Sequence, residues 1–123
     1  ALLSAVGQVV RLESESQMDA VTGVSGSGPA YVFYMIDALA AAGVAQGLPA
    51  DLSMQLAKAT VAGAGVLAQV ADEAPEQLRI NVTSPNGTTQ AGLEVLMGSQ
   101  ALMPLIAATV KAATDRSKEL GNG

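Results

Sequence analysis

A chain of 123 residues is long enough for one domain with a buried core and leaves no room for a second of ordinary size. Hydrophobic residues make up 50% of it and aromatics only 2%, so Leu, Val, Ile, Met and Ala must fill the interior, which favours closely packed helices. A net charge of −5 with six scattered basic residues excludes a nucleic-acid or anionic-membrane surface, and the lack of cysteine and histidine excludes disulfides, Cys or His metal ligands and thiol or imidazole catalysis.

The opening residues Ala1-Leu2-Leu3-Ser4 carry no initiator Met and no basic region of a signal peptide, so the chain reads as a fragment that starts mid-protein. Gln8–Leu12 is short and β-branched, and a single strand is not stable alone. Residues 1–17 therefore read as the tail of a missing preceding domain plus a linker, and residues 18–123 as the domain proper. Next, Thr22-Gly23-Val24-Ser25-Gly26-Ser27-Gly28 forms a glycine- and serine-rich loop that ends at Pro29, in the first turn of a helix. It is not a dinucleotide fingerprint, because the third glycine position is Tyr31 and no βαβ unit surrounds it.

Tyr31, Tyr34, Met35, Ala38, Leu39 and Ala42 share one helical face, while Val32, Phe33 and Ile36 make the other faces apolar too. A helix apolar all round is central in its assembly, and its tyrosines read as amphipathic core residues. The run 30–45 is interrupted by Asp37 and shorter than the ~20 residues a membrane helix needs, so it reads as a core helix with no membrane partner. Gly43 and Gly47 loosen its end, and Pro49 starts a second helix reaching about Val70. There Leu52, Leu56, Ala59, Gly63, Val66 and Val70 form a heptad-like seam, within the subunit or between subunits, and Gly63 and Gly65 point to close helix packing.

An acidic stretch, Ala71–Glu76, leads through Pro75 into a short helix ending at Ile80. Thr83-Ser84-Pro85-Asn86-Gly87-Thr88-Thr89 then combines hydroxyls, a forced turn and a helix start. Pro85 presets φ, Asn86-Gly87 tolerates positive φ, and the first N–H groups of the following helix have no intrahelical partner, so they attract a carboxylate or phosphate. An ordinary turn with a threonine cap has the same sequence. Asn81-Val82-Thr83 matches a glycosylation sequon by chance, since nothing suggests secretion. The helix from Thr88 ends near Met97-Gly98. The last helix, capped by Ser99, places Leu102, Leu105, Ile106, Thr109 and Ala113 on one face, with Lys118 in its last turn and Gly121 as its stop. Pro104 requires that helix to start late or to distort its first turn. The fold class is all-α, about five helices, and faces this rich in Ala, Leu and Val call for a second subunit.

Met18-Asp19-Ala20-Val21-Thr22 running into Ser25-Gly26-Ser27-Gly28-Pro29-Ala30-Tyr31, then Gly47-Leu48-Pro49, then Val82-Thr83-Ser84-Pro85 and Gly87-Thr88-Thr89, stand in a particular order and spacing. On these motifs, over essentially residues 5–121, the chain resembles the C-terminal domain of the pyrroline-5-carboxylate reductase family, which performs the last step of proline biosynthesis. The resemblance implies an N-terminal Rossmann domain that binds NADPH or NADH, a homodimer whose helical domains intertwine, often with further assembly, and a cytoplasmic enzyme. It implies that Val82, Thr83, Ser84, Gly87, Thr88 and Thr89 bind pyrroline-5-carboxylate or proline, Ser84 and backbone N–H groups taking the carboxylate and Thr89, the catalytic residue, lying by the ring nitrogen. Thr22, Ser25, Gly26, Ser27 and Gly28 would lie near the nicotinamide edge of the same cleft. Two positions depart from the family pattern: Asn86 replaces a common second glycine, and Asp72 stands where a relative can carry Glu near the partner's site. Two other readings are a structural dimerisation module without a ligand and the helical domain of another Rossmann-linked dehydrogenase. The second would call for a catalytic lysine, and Lys58 stands alone.

Overall fold

A computed structural model describes residues 15–122. The strand expected at Gln8–Leu12 lies outside the described residues. Helix α1 (Glu15–Val21) runs into a π-helical turn, Thr22–Gly26, followed by α2 (Gly28–Ala45), α3 (Ala50–Val70), α4 (Pro75–Asn81), α5 (Thr88–Leu96) and α6 (Leu102–Asn122). All-α architecture is as expected, and the five expected helices are present with α1 added before them. The expected domain start at Met18 falls inside α1. The described chain divides into two compact units, one of residues up to Val32 together with those from Met97 onward, the other Phe33–Leu96.

In the first unit the glycine-rich stretch is helical, which corrects the loop expected there. Ser27 donates its N–H to the Thr22 carbonyl at 2.9 Å, the i→i+5 bond of a π turn. The cause is packing against α6: Gly23 is buried, and a Cβ on it would meet the Thr114 hydroxyl and lie 3.0 Å from the Val110 carbonyl oxygen. Ser117, on the same face of α6 as Val110 and Thr114, donates to the Asp19 carboxylate at 2.7 Å and ties α1 to it.

Helix α6 begins at Leu102, the late start that Pro104 allows, so Ser99 does not cap it. Pro104 is thereby its third residue, where a missing N–H costs no intrahelical bond, and Leu105 donates to the Ala101 carbonyl at 3.2 Å. Gly121 does not stop α6, which continues to Asn122, so Lys118 lies ahead of the last turn.

In the second unit, α2 and α3 form a tight hairpin. Gly47 takes φ 103°, Leu48 N–H bonds the Gly43 carbonyl at 3.1 Å and Gly47 N–H bonds the Val44 carbonyl at 2.9 Å, the paired bonds of a Schellman cap. Gly47 thus closes α2 rather than loosening it. Gly43 admits the neighbouring helix: a Cβ there would collide with the Ser53 hydroxyl, which is buried and donates to the Ala40 carbonyl at 2.7 Å.

Few side chains are covered. Among the described residues the buried apolar side chains are Ala40 and Ala57, whereas Phe33 is 66% exposed, Val70 70% and Met103 86%. Among the described residues nothing outside the backbone of α3 itself lies within 4 Å of a Cβ built on Gly63 or Gly65, so they leave this part of α3 unfilled. The apolar run is also longer than expected. Because α1 and the π turn continue into α2, Gln17–Ala45 is long and apolar enough, by length and composition, to cross a membrane.

Candidate functional site

The turn after α4 is built by local rules. Gly87 donates its N–H to the Ser84 carbonyl at 3.1 Å, with Pro85 and Asn86 between them and Asn86 at φ 60°, the pattern of a type II turn. The Gln90 side chain, one turn into α5, accepts the Asn86 N–H at 2.5 Å and so locks the turn onto the helix it precedes. Asn86 alone supplies the left-handed conformation. Gly87 answers to a different constraint: a Cβ there would lie 2.5 Å from Ser84 Oγ, which would have to turn away, and 3.2 Å from the Ser84 carbonyl oxygen.

The hydroxyls of this turn divide into two groups. Thr83 Oγ1 donates to the Arg79 carbonyl at 2.5 Å, and the Val82 and Thr83 N–H groups bond Arg79 and Ile80, so these two residues finish the C-terminus of α4. Ser84, Thr88 and Thr89 are exposed, and their hydroxyls enter no hydrogen bond within the described chain. The first intrahelical bond of α5 is Ala91 N–H to the Gly87 carbonyl, at 3.2 Å, which leaves the N–H groups of Thr88, Thr89 and Gln90 outside the helical ladder. No acidic residue stands in that first turn. Three hydroxyls and the positive end of a helix dipole thus gather within six residues, a donor set suited to a small carboxylate.

The second group of expected site residues lies in the other unit. Thr22 Oγ1 donates back to the Met18 carbonyl at 3.1 Å, which occupies its hydroxyl within the helix. Ser25, Gly26, Ser27 and Gly28 are half-buried, and a Cβ on Gly28 would meet nothing within 4 Å. Among the described residues no contact calls for glycine there. Asp72 is exposed in the bend between α3 and α4, and Lys58 is exposed on α3. Among the described residues no group of Asp and Glu is placed to hold a metal ion.

Two residues were missed from the sequence. Gln90 carries a legible signal, an amide placed a turn beyond Asn86 to reach back to it. Tyr31 does not: its hydroxyl donates to the Gly23 carbonyl at 2.8 Å, a partner that exists only because of the π turn.

Comparison with known proteins follows the same lines. Residues 15–120 match the family model described as pyrroline-5-carboxylate reductase dimerisation. The chain is 52% identical over 123 residues to the pyrroline-5-carboxylate reductase of Synechocystis, covering 98% of this chain and 45% of that protein. It is 47% identical over 119 residues to that of Arabidopsis thaliana, covering 97% of this chain and 42% of the relative. Among solved structures it resembles a pyrroline-5-carboxylate reductase from Coxiella burnetii, with TM-score 0.87 and 40% identity over 94% of this chain and 43% of that one. It also resembles the Plasmodium falciparum pyrroline carboxylate reductase with NADP bound, with TM-score 0.82 and 35% identity over 92% of this chain and 43% of that one. The chain spans less than half the length of these relatives.

Proposed function

The chain belongs to the pyrroline-5-carboxylate reductase family, as its dimerisation domain, and from that premise we propose that it forms the substrate-binding and dimerising part of an enzyme reducing 1-pyrroline-5-carboxylate to L-proline with NADPH or NADH. The observation that carries this reading is the start of α5. There Ser84, Thr88 and Thr89 keep unpaired hydroxyls beside free backbone N–H groups, on a turn held by Gln90 and by the lack of a Cβ at Gly87.

Reduction of the ring C=N bond puts a hydride on carbon and a proton on nitrogen. The nicotinamide cofactor supplies the hydride when bound, held mainly by an N-terminal nucleotide-binding domain, with Thr22 and Ser25–Gly28 against its nicotinamide edge. Open space beside Gly28 fits such a contact. Ser84 and the first N–H groups of α5 receive the substrate carboxylate. Thr83 and Val82 support that turn through the end of α4.

Thr89 orients the ring nitrogen by hydrogen bonding. A threonine hydroxyl is a poor acid, so the proton arrives already on an iminium or through water, and positioning rather than acid strength supplies the rate. The exposed apolar faces, the run Gln17–Ala45 included, are covered by a second copy of the chain. Asp37, exposed within that run, would be costly in lipid.

Thermal denaturation of the full-length enzyme with added proline tests the assignment. Proline should raise the melting temperature of the wild type and not that of Ser84→Ala or Thr89→Ala. Equal shifts in all three proteins would remove the substrate site from this turn. No shift in any of them would favour a structural dimerisation module.

A further inference from the structure

A π turn is rare, and one inserted between two α-helical stretches needs something to hold it. In the first unit four features hold this one. The turn closes through Ser27 N–H to the Thr22 carbonyl at 2.9 Å. Its backbone presses on α6 at Gly23, where Thr114 and the Val110 carbonyl leave no room for a Cβ. Ser117 on α6 grips Asp19 on α1 at 2.7 Å. On the other side, Tyr31 reaches back eight residues and donates its hydroxyl to the Gly23 carbonyl at 2.8 Å.

Tyr31 stands in the first turn of α2, immediately after Ser25–Gly28. Its bond therefore spans that segment from end to end. The ring is half-buried while Tyr34, one turn on, is 75% exposed, so the two tyrosines have different surroundings. A phenylalanine at position 31 would keep the apolar contacts and lose only the bond to Gly23.

We infer that Tyr31 is a positioning residue of the reductase: its hydroxyl, by holding the Gly23 carbonyl, sets the frame of Ser25–Gly28 for contact with the nicotinamide half of the cofactor. The inference rests on the functional reading above and adds to it the residue on which the segment's geometry depends. It touches neither substrate nor cofactor and acts only through the backbone it fixes.

The test is steady-state kinetics on the full-length enzyme carrying Tyr31→Phe, with Ser25→Ala as its companion and with melting temperature and oligomeric state measured on the same preparations. Tyr31→Phe should raise KM for NADPH or lower kcat by about tenfold, the order expected for one neutral hydrogen bond. KM for pyrroline-5-carboxylate should change far less, and the protein should remain folded and dimeric. Amide hydrogen exchange should quicken in residues 23–28 and not in α3.

Unchanged kinetics in Tyr31→Phe overturn the inference, and so does a lowered melting temperature with normal kinetics of the folded enzyme. If Ser25→Ala alters the cofactor constants while Tyr31→Phe does not, the inference fails and the functional reading of the segment stands. If both are silent, the two fail together. An effect of Tyr31→Phe with none from Ser25→Ala and no change in exchange at 23–28 also overturns it, because the effect then does not pass through the segment.

Discussion

Ser84 and Thr89 stand on either side of one turn, and their unpaired hydroxyls separate a binding role from a capping role. Ser84→Ala should weaken substrate binding by about 1.5–3 kcal/mol, the range for a hydrogen bond to a charged group, and appear mainly as a raised KM. Thr89→Ala should lower kcat as well, because a bond to nitrogen matters most while its charge is changing. Thr89→Ser keeps the hydroxyl and should retain much of the activity, whereas Thr89→Val keeps the shape without the donor and should not. Neither hydroxyl caps α5 in the structure, so the melting temperature of these variants should stay near that of the wild type. Normal kinetics in both alanine variants would sink the assignment. Gly87→Ala tests the turn itself: its new methyl group would displace the Ser84 side chain, so it should raise KM as Ser84→Ala does.

At the scale of elements, the α2–α3 hairpin depends on small residues. Ser53→Ala removes the buried bond to the Ala40 carbonyl and should cost about 1 kcal/mol, read from chemical denaturation of the full-length enzyme. Helix α3 offers a sharper test. Replacing Gly63 by Leu should stabilise an isolated helix by about 1 kcal/mol, and the described residues leave open space beside its Cβ. If a partner's helix packs against that seam, the same change should weaken the dimer, which sedimentation at falling concentration would register.

Charge matters less in α6. Lys111 lies 2.6 Å from the Asp115 carboxylate, and the hydrogen bond between them holds the Asp115 carboxyl below its ordinary 3.8 and the lysine above 10.5. The depressed Asp115 favours the folded state above its ordinary 3.8, and that help is lost as pH falls through the folded value. The raised Lys111 helps below its unfolded pKa and ceases to as pH rises through the folded one. Both groups are exposed and solvent screens them, so Lys111→Ala should leave the melting curve at pH 7 unmoved.

For the whole molecule, exposure is the governing fact. Burying a side chain such as Phe33 or Val70 is worth about 1.5–3 kcal/mol, and the chain by itself leaves many of this size in water. Residues 1–123 produced alone should therefore associate, with a melting temperature that rises with protein concentration. A folded, stable monomer at micromolar concentration would contradict the dimer. The same fragment should bind NADPH weakly or not at all by calorimetry, since the described residues contain no strand–glycine-rich turn–helix unit for a pyrophosphate.

Much of this protein was legible in its sequence because the signals are local. Apolar spacing placed α2, α3 and α6, prolines 49 and 75 marked the starts of α3 and α4, and Pro85-Asn86-Gly87 announced the turn before α5. Each depends on residues within one or two turns of one another, so a linear reading reaches them. The tertiary structure decided what depends on distant partners. Gly23 became a π turn rather than a loop because Val110 and Thr114, some ninety residues on, press against its backbone. Thr83 stood with Ser84 and Thr89 in one expected substrate-binding stretch, yet the end of α4 brings the Arg79 carbonyl to its hydroxyl and leaves the other two free. Tyr31 reads as one more amphipathic core position on a helical face. Only the widened turn, which exists through packing against α6, sets a carbonyl within reach of its hydroxyl.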